Sequence, residues 1–538
     1  MKRYEIKTLT QIMTEKPTKL SKAELCTFIG ALISGLAAHL FQYANKMYNY
    51  DDLFVNPGGF GTGVESGRWF LQIMGEWVNK YFGNYSLPMF NGFFTLVLLA
   101  ISATMLVRLF EVKDLLLATF VGMLFVTTPS VVCMNFYMFT ALYYAVAIFL
   151  SFLSGYLIVR HGKNILIQVI AVLLLACAVG TYQAYFTNTL CILVLDIIVK
   201  SAFSRDDMSG KEIFSRSVRY VVELALGIGV YFLFTQFSLK YWNVTLGSYQ
   251  GINNMGHLEL HKLPQLLYNC YHCFLWFPIV DIFWENPTTI VKRAIKVMYV
   301  ITILLVIAMI IRKRRDCKKL MLMLLSMLTF PIAVFFIYIM VQVEGYIYPL
   351  MTFSVIFIYV FVFVWLDKYM KENVTWKFEK EVEKIMHWCI SIAAIVITVV
   401  YIWNANGNYM SLWYTQQHDI AYFQTMLTQI RSAEGYRSGL PLAVIGREAE
   451  IEDSEHTTGS LMGAEFDIPG KSESNINGYS RWHILIQYLG YNPEFLFDDK
   501  TSEIAKWDEV RAMPCYPEDG SIKIVDDIIV LKLSDEVK

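Results

Sequence analysis

At 538 residues, 56% of them hydrophobic and only 17% charged, and with a mean hydropathy of +0.44, the chain has the composition of a membrane protein rather than a soluble one. Its formal net charge of −1 excludes a general nucleic-acid binder, which needs a basic excess gathered on one face. Nine cysteines lie scattered, mostly inside apolar runs, where a thiol behaves as a small hydrophobe and builds no disulfide framework.

A basic leader precedes the first apolar run, residues 25–43, which lacks a small-residue cleavage site and reads as a retained anchor. Runs of about 17 to 25 apolar residues can cross a hydrocarbon core roughly 30 Å thick, and about eleven such runs fit. They centre on residues 25–43, 89–107, 115–127, 137–159, 165–180, 184–199, 220–237, 294–311, 320–340, 347–365 and 388–403; the third is the shortest. Short loops rich in Lys and Arg are retained in the cytoplasm. The leader, the 108–113 turn, residues 160–163, 200–219, 312–319 and 368–384 all carry such clusters and fall on one side. The other side receives a first outer loop (residues 44–87), the turn around residues 181–183, a long outer loop (residues 238–293), a turn at 342–345 and the tail. From Asn404 onward the composition turns charged and mixed. The expected architecture is therefore a polytopic α-helical membrane protein, residues 1–403, with a small C-terminal α/β extracytoplasmic domain, residues 404–538, large enough for a core of its own. In that domain residues 442–446 read as a strand closed by glycine, 482–488 as a helix, and 522–533 as a hairpin turning at Asp526-Asp527.

The residues able to carry chemistry gather on the outer side. Asp51 and Asp52 follow the first span directly. A carboxylate held at the bilayer surface, where water is scarce, has its pKa raised enough to take a proton from a sugar hydroxyl; acidic residues also occur simply where a helix meets water. The glycine-rich stretch 57–63 lacks the Gly-Lys-Ser/Thr of a phosphate loop and instead lets the chain fold back on the membrane. Arg68 opens a segment, residues 69–81, suited to lie in the interface plane. It is either a bidentate partner for a lipid phosphate or a snorkelling anchor. Tyr182 and Gln183, in a tight turn beside hydrocarbon, either line a cavity or hydrogen-bond helix to helix. In the long outer loop His257, His261 and Lys262 precede an aromatic stretch, residues 268–284, that suits an anionic lipid carrier and a stacked sugar ring; an interfacial aromatic belt has the same look. Glu344 is a third outer carboxylate, a second acid or a cation ligand. Cys270-Tyr-His-Cys273 has the spacing of half a metal site, but no second pair follows to complete four ligands, and it reads as packing.

The Asp51-Asp52 pair, Ser66-Gly67-Arg68-Trp69 beyond it, Thr181-Tyr182-Gln183 in a later turn, and Met513-Pro-Cys-Tyr-Pro517 through Gly520-Ser-Ile522 to Asp526-Asp527 in the tail, taken in this order, resemble the bacterial and bacteriophage type II glucosyltransferase family. That family is similar in architecture to the GT-C class of polytopic glycosyltransferases. The resemblance implies a sugar, commonly glucose, taken from a polyprenyl-phosphate carrier and attached outside the bacterial cytoplasmic membrane to a polysaccharide or cell-wall glycan, with inversion. It implies a first-loop carboxylate as catalytic base, either Asp51 or Asp52. It also implies Arg68 for the donor phosphate and Tyr182 and Gln183 for the substrate wall; the residue chemistry adds His257 and Lys262 to the donor-phosphate side and Glu344 to the substrate wall. A divalent cation, Mg or Mn, stays open as a cofactor, since a lipid monophosphate needs less neutralisation than a nucleotide diphosphate. Expected partners are the lipid-linked donor, the glycan acceptor and membrane lipids, with a donor-synthesising glycosyltransferase and a flippase upstream. The N-terminus is expected in the cytoplasm and the tail outside, where the tail helps recognise the acceptor. The rival reading is a lipid-linked sugar flippase or polysaccharide transporter. A transporter, however, places polar groups near the bilayer midplane and often repeats in halves, and neither sign is present in the sequence.

Overall fold

The computed structural model describes residues 20–538 except 56–59, 84–85, 205–207, 248–258, 277–288, 314–315, 343–346, 373–376, 448–480, 498 and 536–538. His257 and Glu344 fall outside the described residues.

Helix α1 (Lys22–Ala44) opens with a capping box in which Ser21 and Glu24 satisfy each other's backbone amides. A short helix, α2 (Tyr50–Val55), and the helix α3 (Trp69–Phe82) make up the first loop. Then come α4 (Pro88–Phe110), α5 (Leu115–Thr127), α6 (Pro129–Phe136), α7 (Met138–Arg160), α8 (Ile165–Val179), α9 (Phe186–Phe203) and α10 (Gly210–Trp242). Helices α11 (Leu263–Trp276), α12 (Thr289–Lys313), α13 (Cys317–Val334), α14 (Ile337–Val341), α15 (Ile356–Tyr369) and α16 (Lys377–Ser432) complete the bundle.

Among the described residues nine helices are long and apolar enough to span a membrane, so the chain is a multi-pass α-helical membrane protein. They coincide with nine of the eleven apolar runs. The other two runs, 165–180 and 347–365, fold as shorter pieces: α8 has 15 residues, and α15 has 14 and is preceded by two 3-10 turns. The third run is rescued by α6, which continues past the Thr128-Pro129 break, proline being tolerated at the first turn of a helix.

Small residues let helices approach closely. A side chain on Gly122 of α5 would meet the Thr27 carbonyl oxygen of α1 at 2.2 Å, and Thr27 Oγ1 donates back to Ala118 O at 2.9 Å. One end of the bundle is laced by ion pairs. Arg108 forks onto Glu24 at 3.0 and 2.9 Å, Arg216 meets Asp196 at 3.1 Å, and Arg219 meets Glu223 at 3.4 Å. Asp367 accepts the Lys113 and Asp114 amides and pairs with Lys371. The opposite end carries α2 and the tail.

Helix α16 has 56 residues, about 84 Å at 1.5 Å per residue, far more than a bilayer's hydrocarbon thickness. It runs unbroken through Asn404, and its last turns seat Phe423, Met426, Leu427 and Ile430 in the core of the tail. That core is completed by a four-stranded sheet and by α17 (Arg481–Gln487), while α18 (Asp499–Ile504) and α19 (Asp508–Arg511) pack Ile504 and Val510 into a second cluster with Ala443, Ile445, Val525 and Val530. The strands are β1 (Leu442–Ile445), β2 (Phe495–Leu496), β3 (Ile522–Val525) and β4 (Ile528–Lys532), in the order β2-β1-β4-β3. Strand β1 runs parallel to both neighbours, and β3–β4 is an antiparallel hairpin. Asp526 and Asp527 turn it with positive φ of 48° and 59°, as a two-residue primed turn requires.

Candidate functional site

The first loop is built to hold two carboxylates against the bundle. A six-residue helix is too short to persist by itself, so α2 depends on what caps and buries it. Asn49 Oδ1 accepts the Asp52 amide at 2.9 Å, the task asparagine performs at a helix start. Leu53 is fully buried, a contribution of roughly 1.5–3 kcal/mol relative to exposure. Asp52 itself is 2% exposed, and its Oδ1 accepts the Phe139 amide at 3.3 Å at the first turn of α7. Burial pushes its carboxyl up to about 8, helped by the neighbouring Asp51 charge and opposed by backbone amides; desolvation of the charged form outweighs the hydrogen bonds. Asp51 is only half-buried.

Farther along the loop, Arg68 is buried (7% exposed). Its Nη1 donates to Thr62 Oγ1 at 2.9 Å and to Tyr144 Oη at 3.3 Å, and its guanidinium lies 4.8 Å from the centre of the Tyr182 ring. Tyr182 in turn packs on Tyr144 at 4.8 Å and on Tyr185 at 5.1 Å. A cation over a desolvated aromatic face gains up to about 2 kcal/mol, which helps offset its removal from water. The loop docks on the turn that follows α8. Gln183 Nε2 donates to Ser66 O at 2.7 Å and to Tyr231 Oη at 3.2 Å, Phe70 N–H donates to Gly180 O at 2.8 Å, and Trp69 stacks on Phe234 at 5.1 Å. Gly67 makes the docking turn with φ of +66°, and a side chain there would meet Tyr231 Oη at 2.6 Å.

Asp52 is anchored at Phe139 and Arg68 at Tyr144, five residues apart on α7. The two residues that anchor them are therefore about 7.5 Å apart along the helix axis. The Asp52 carboxylate and the Arg68 guanidinium are thus both tied to the first two turns of one helix. A hydroxyl chain lies beside them: Tyr50 Oη to Tyr137 Oη at 3.4 Å, and Tyr137 Oη to Tyr348 Oη at 2.9 Å.

Of the sequence-derived residues, Arg68, Tyr182 and Gln183 lie in one cluster around the docked loop, while Asp52, with Asp51 next to it, is tied to the same helix α7 through Phe139. Lys262 does not join them in any described contact; its Nζ lies 3.1 Å from Glu259. His257 and Glu344 are not described. Sequence reading passed over Thr62, Tyr137, Tyr144, Tyr231 and Tyr348, since a tyrosine at the end of a span looks the same whether it lines a site or belongs to the interfacial belt. Cys270 and Cys273 are buried on α11, in contact with Phe335 O and Tyr338 Oη. Among the described residues no three His, Cys, Asp or Glu side chains converge as a metal cluster.

Residues 40–366, more than half of the chain, match the family model described as glucosyl transferase GtrII. No curated protein matches the chain.

Proposed function

The chain belongs to the glucosyl transferase GtrII family, and we propose that it moves glucose from a polyprenyl-phosphate carrier to a surface polysaccharide or cell-wall glycan on the outer face of the cytoplasmic membrane, with inversion. The observation that carries this reading is the shared seat of Asp52, with Asp51 next to it in the chain, and Arg68 on the first turns of α7. That seat offers a base and a phosphate clamp on one rigid element.

The two carboxylates have different work. A general base must reach the hydroxyl it deprotonates, and geometry ranks before pKa in choosing it. Asp51 is half-buried and Asp52 is sealed against α7. Asp51 therefore takes the acceptor O–H proton, and Asp52 holds α2 in place. The acceptor oxygen bonds to the anomeric carbon as the bond from that carbon to the phosphate oxygen breaks. The leaving polyprenyl phosphate gathers negative charge, which Arg68 meets with a guanidinium fixed in advance by Thr62, Tyr144 and Tyr182. Pre-set charge of this kind is the largest ordinary source of rate acceleration. Tyr182 and Gln183 form the wall behind it.

The orientation is proposed on charge. The bundle end opposite α2 gathers Arg108, Arg160, Arg216, Arg219 and Lys371, the bias that marks a cytoplasmic face.

The test is transfer of labelled glucose from synthetic polyprenyl-phosphate glucose to an isolated glycan by the purified chain in nanodiscs. Asp51→Asn is expected to lower kcat by about 10²–10⁴-fold, the span of general-base catalysis, with donor binding retained. Asp52→Asn keeps an acceptor oxygen for the Phe139 amide and is expected to stay within about tenfold of the native rate. Full activity in Asp51→Asn, or movement of the lipid-linked sugar across vesicles without any transfer, overturns the reading; the second result is the transporter's signature.

A further inference from the structure

The family match ends at residue 366, yet the tail beyond it is built into the first loop. Tyr48 and Leu53, which flank the carboxylate pair, are buried in the same apolar cluster as Phe423, Met426 and Ile430 of α16, Leu442 of β1 and Ile484 and Leu485 of α17. Gln487, the last residue of α17, donates from Nε2 to the Leu53 carbonyl oxygen at 2.7 Å. Tyr488 packs its ring on Tyr48 at 4.8 Å, its hydroxyl reaches Lys46 O at 3.4 Å, and Lys46 Nζ lies 5.6 Å from the centre of the same ring. Gln416 of α16 adds a bond to Lys46 O at 3.1 Å. Both ends of a six-residue helix are therefore gripped from the tail, while its middle is tied to α7 through Asp52.

A carbonyl at the C-terminal turn of a helix that short has no intrahelical partner of its own, so the Gln487 amide supplies the bond that fixes that end. We propose that Gln487 is a positioning residue: the tail domain, through Gln487 at the Leu53 carbonyl and Tyr488 on Tyr48, sets the place of α2 and with it the reach of Asp51. The role of Asp51 rests on the transferase reading above; the grip on α2 does not. The tail acts on the reaction by holding the base and not by binding the acceptor. Misplacing a reacting group by about 1 Å costs on the order of 10²-fold in rate, so a lost tether registers in kcat.

The experiment uses the full chain in nanodiscs and compares the native protein with Gln487→Ala and with Gln487→Met, which keeps length and apolar volume but cannot donate. Hydrogen exchange is followed over residues 46–55 and over β4, alongside transfer kinetics for donor and acceptor. Expected is exchange at least about threefold faster over 46–55 with β4 unchanged. With it goes a kcat lower by about tenfold and both KM values within about twofold of native. Where Gln487→Ala loosens β4 as well, Gln487→Met decides. Native exchange over 46–55 in both variants, or a raised acceptor KM with native kcat, overturns the proposal, the latter in favour of acceptor recognition. A native chain that transfers no sugar defeats the transferase reading instead, and the exchange data still decide whether Gln487 holds α2.

Discussion

Two loops of this protein each offer a cation, and they treat it differently. In the first loop Arg68 is withdrawn from water, laid over Tyr182 and bonded to Thr62 and Tyr144. In the long loop before α11, Lys262 remains 30% exposed and meets Glu259, itself 43% exposed, at 3.1 Å. The same formal charge therefore performs different physical roles. A guanidinium held in a desolvated aromatic cradle interacts strongly with an incoming anion, because little water screens it. An ammonium paired with an exposed carboxylate is largely neutralised and screened before any ligand arrives. Docking of the loop on the turn after α8, more than the charge itself, sets the first loop apart.

The sharpest way to break this comparison is to remove Arg68. Arg68→Ala is expected to reduce kcat/KM for the lipid-linked donor by about 10²-fold, the usual loss when one charge-stabilising group is deleted. Arg68→Lys should recover less than about a tenth of the lost activity, since an ammonium lacks the planar guanidinium face that lies over Tyr182. Steady-state transfer assays decide; a fully active lysine variant would mean that charge alone suffices.

Docking is tested at Gly67. An alanine there must adopt φ of +66° and bring its methyl to 2.6 Å from Tyr231 Oη. The expected cost is about 1–3 kcal/mol of local strain, read as a lower thermal midpoint and faster exchange over the Ser66–Trp69 segment. Native stability in Gly67→Ala would show that the Gln183–Ser66 bond does not control the loop.

The carboxylate side of the loop answers to pH. Burial holds the Asp52 carboxyl up at about 8, against an ordinary value near ~4, so the docked loop keeps a proton that the undocked loop releases. The resulting stabilisation is fully present below about 4 and is lost as pH rises through about 8. Exchange over α2, corrected for its intrinsic pH dependence, should therefore be faster at pH 9 than at pH 6. Asp52→Asn should flatten the difference, and a native slope in that variant would assign the titration elsewhere.

The sequence revealed the bundle well because spanning a membrane leaves a length-and-hydropathy imprint that few other structures share; nine runs became spanning helices. It also located the hairpin at Asp526-Asp527, since two consecutive left-handed residues leave a compositional mark. The partners of the site were hidden for the opposite reason. In a chain this apolar, periodicity does not say which side chain faces lipid and which faces protein. Tyr144 and Tyr231 thus passed unmarked, and Tyr48 and Leu53 gave no sign that they belong to the core of a domain that begins hundreds of residues later. The continuity of α16 from span to tail was likewise masked by the composition change at Asn404, which marks where the apolar stretch ends and not where the helix ends.

The smallest expected effect sharpens the contrast from its other side. If docking and burial make the phosphate clamp, then Lys262→Ala should change donor KM by less than about twofold, because an exposed ion pair contributes only about 0–1 kcal/mol. The variant releases Glu259, whose amide is already bonded to Gln342 Oε1 at 3.0 Å, so the start of α11 keeps its anchor. A donor KM raised about tenfold with kcat unchanged would instead show that Lys262 adds to ground-state binding, and the clamp would then have two cations, one fixed in each loop.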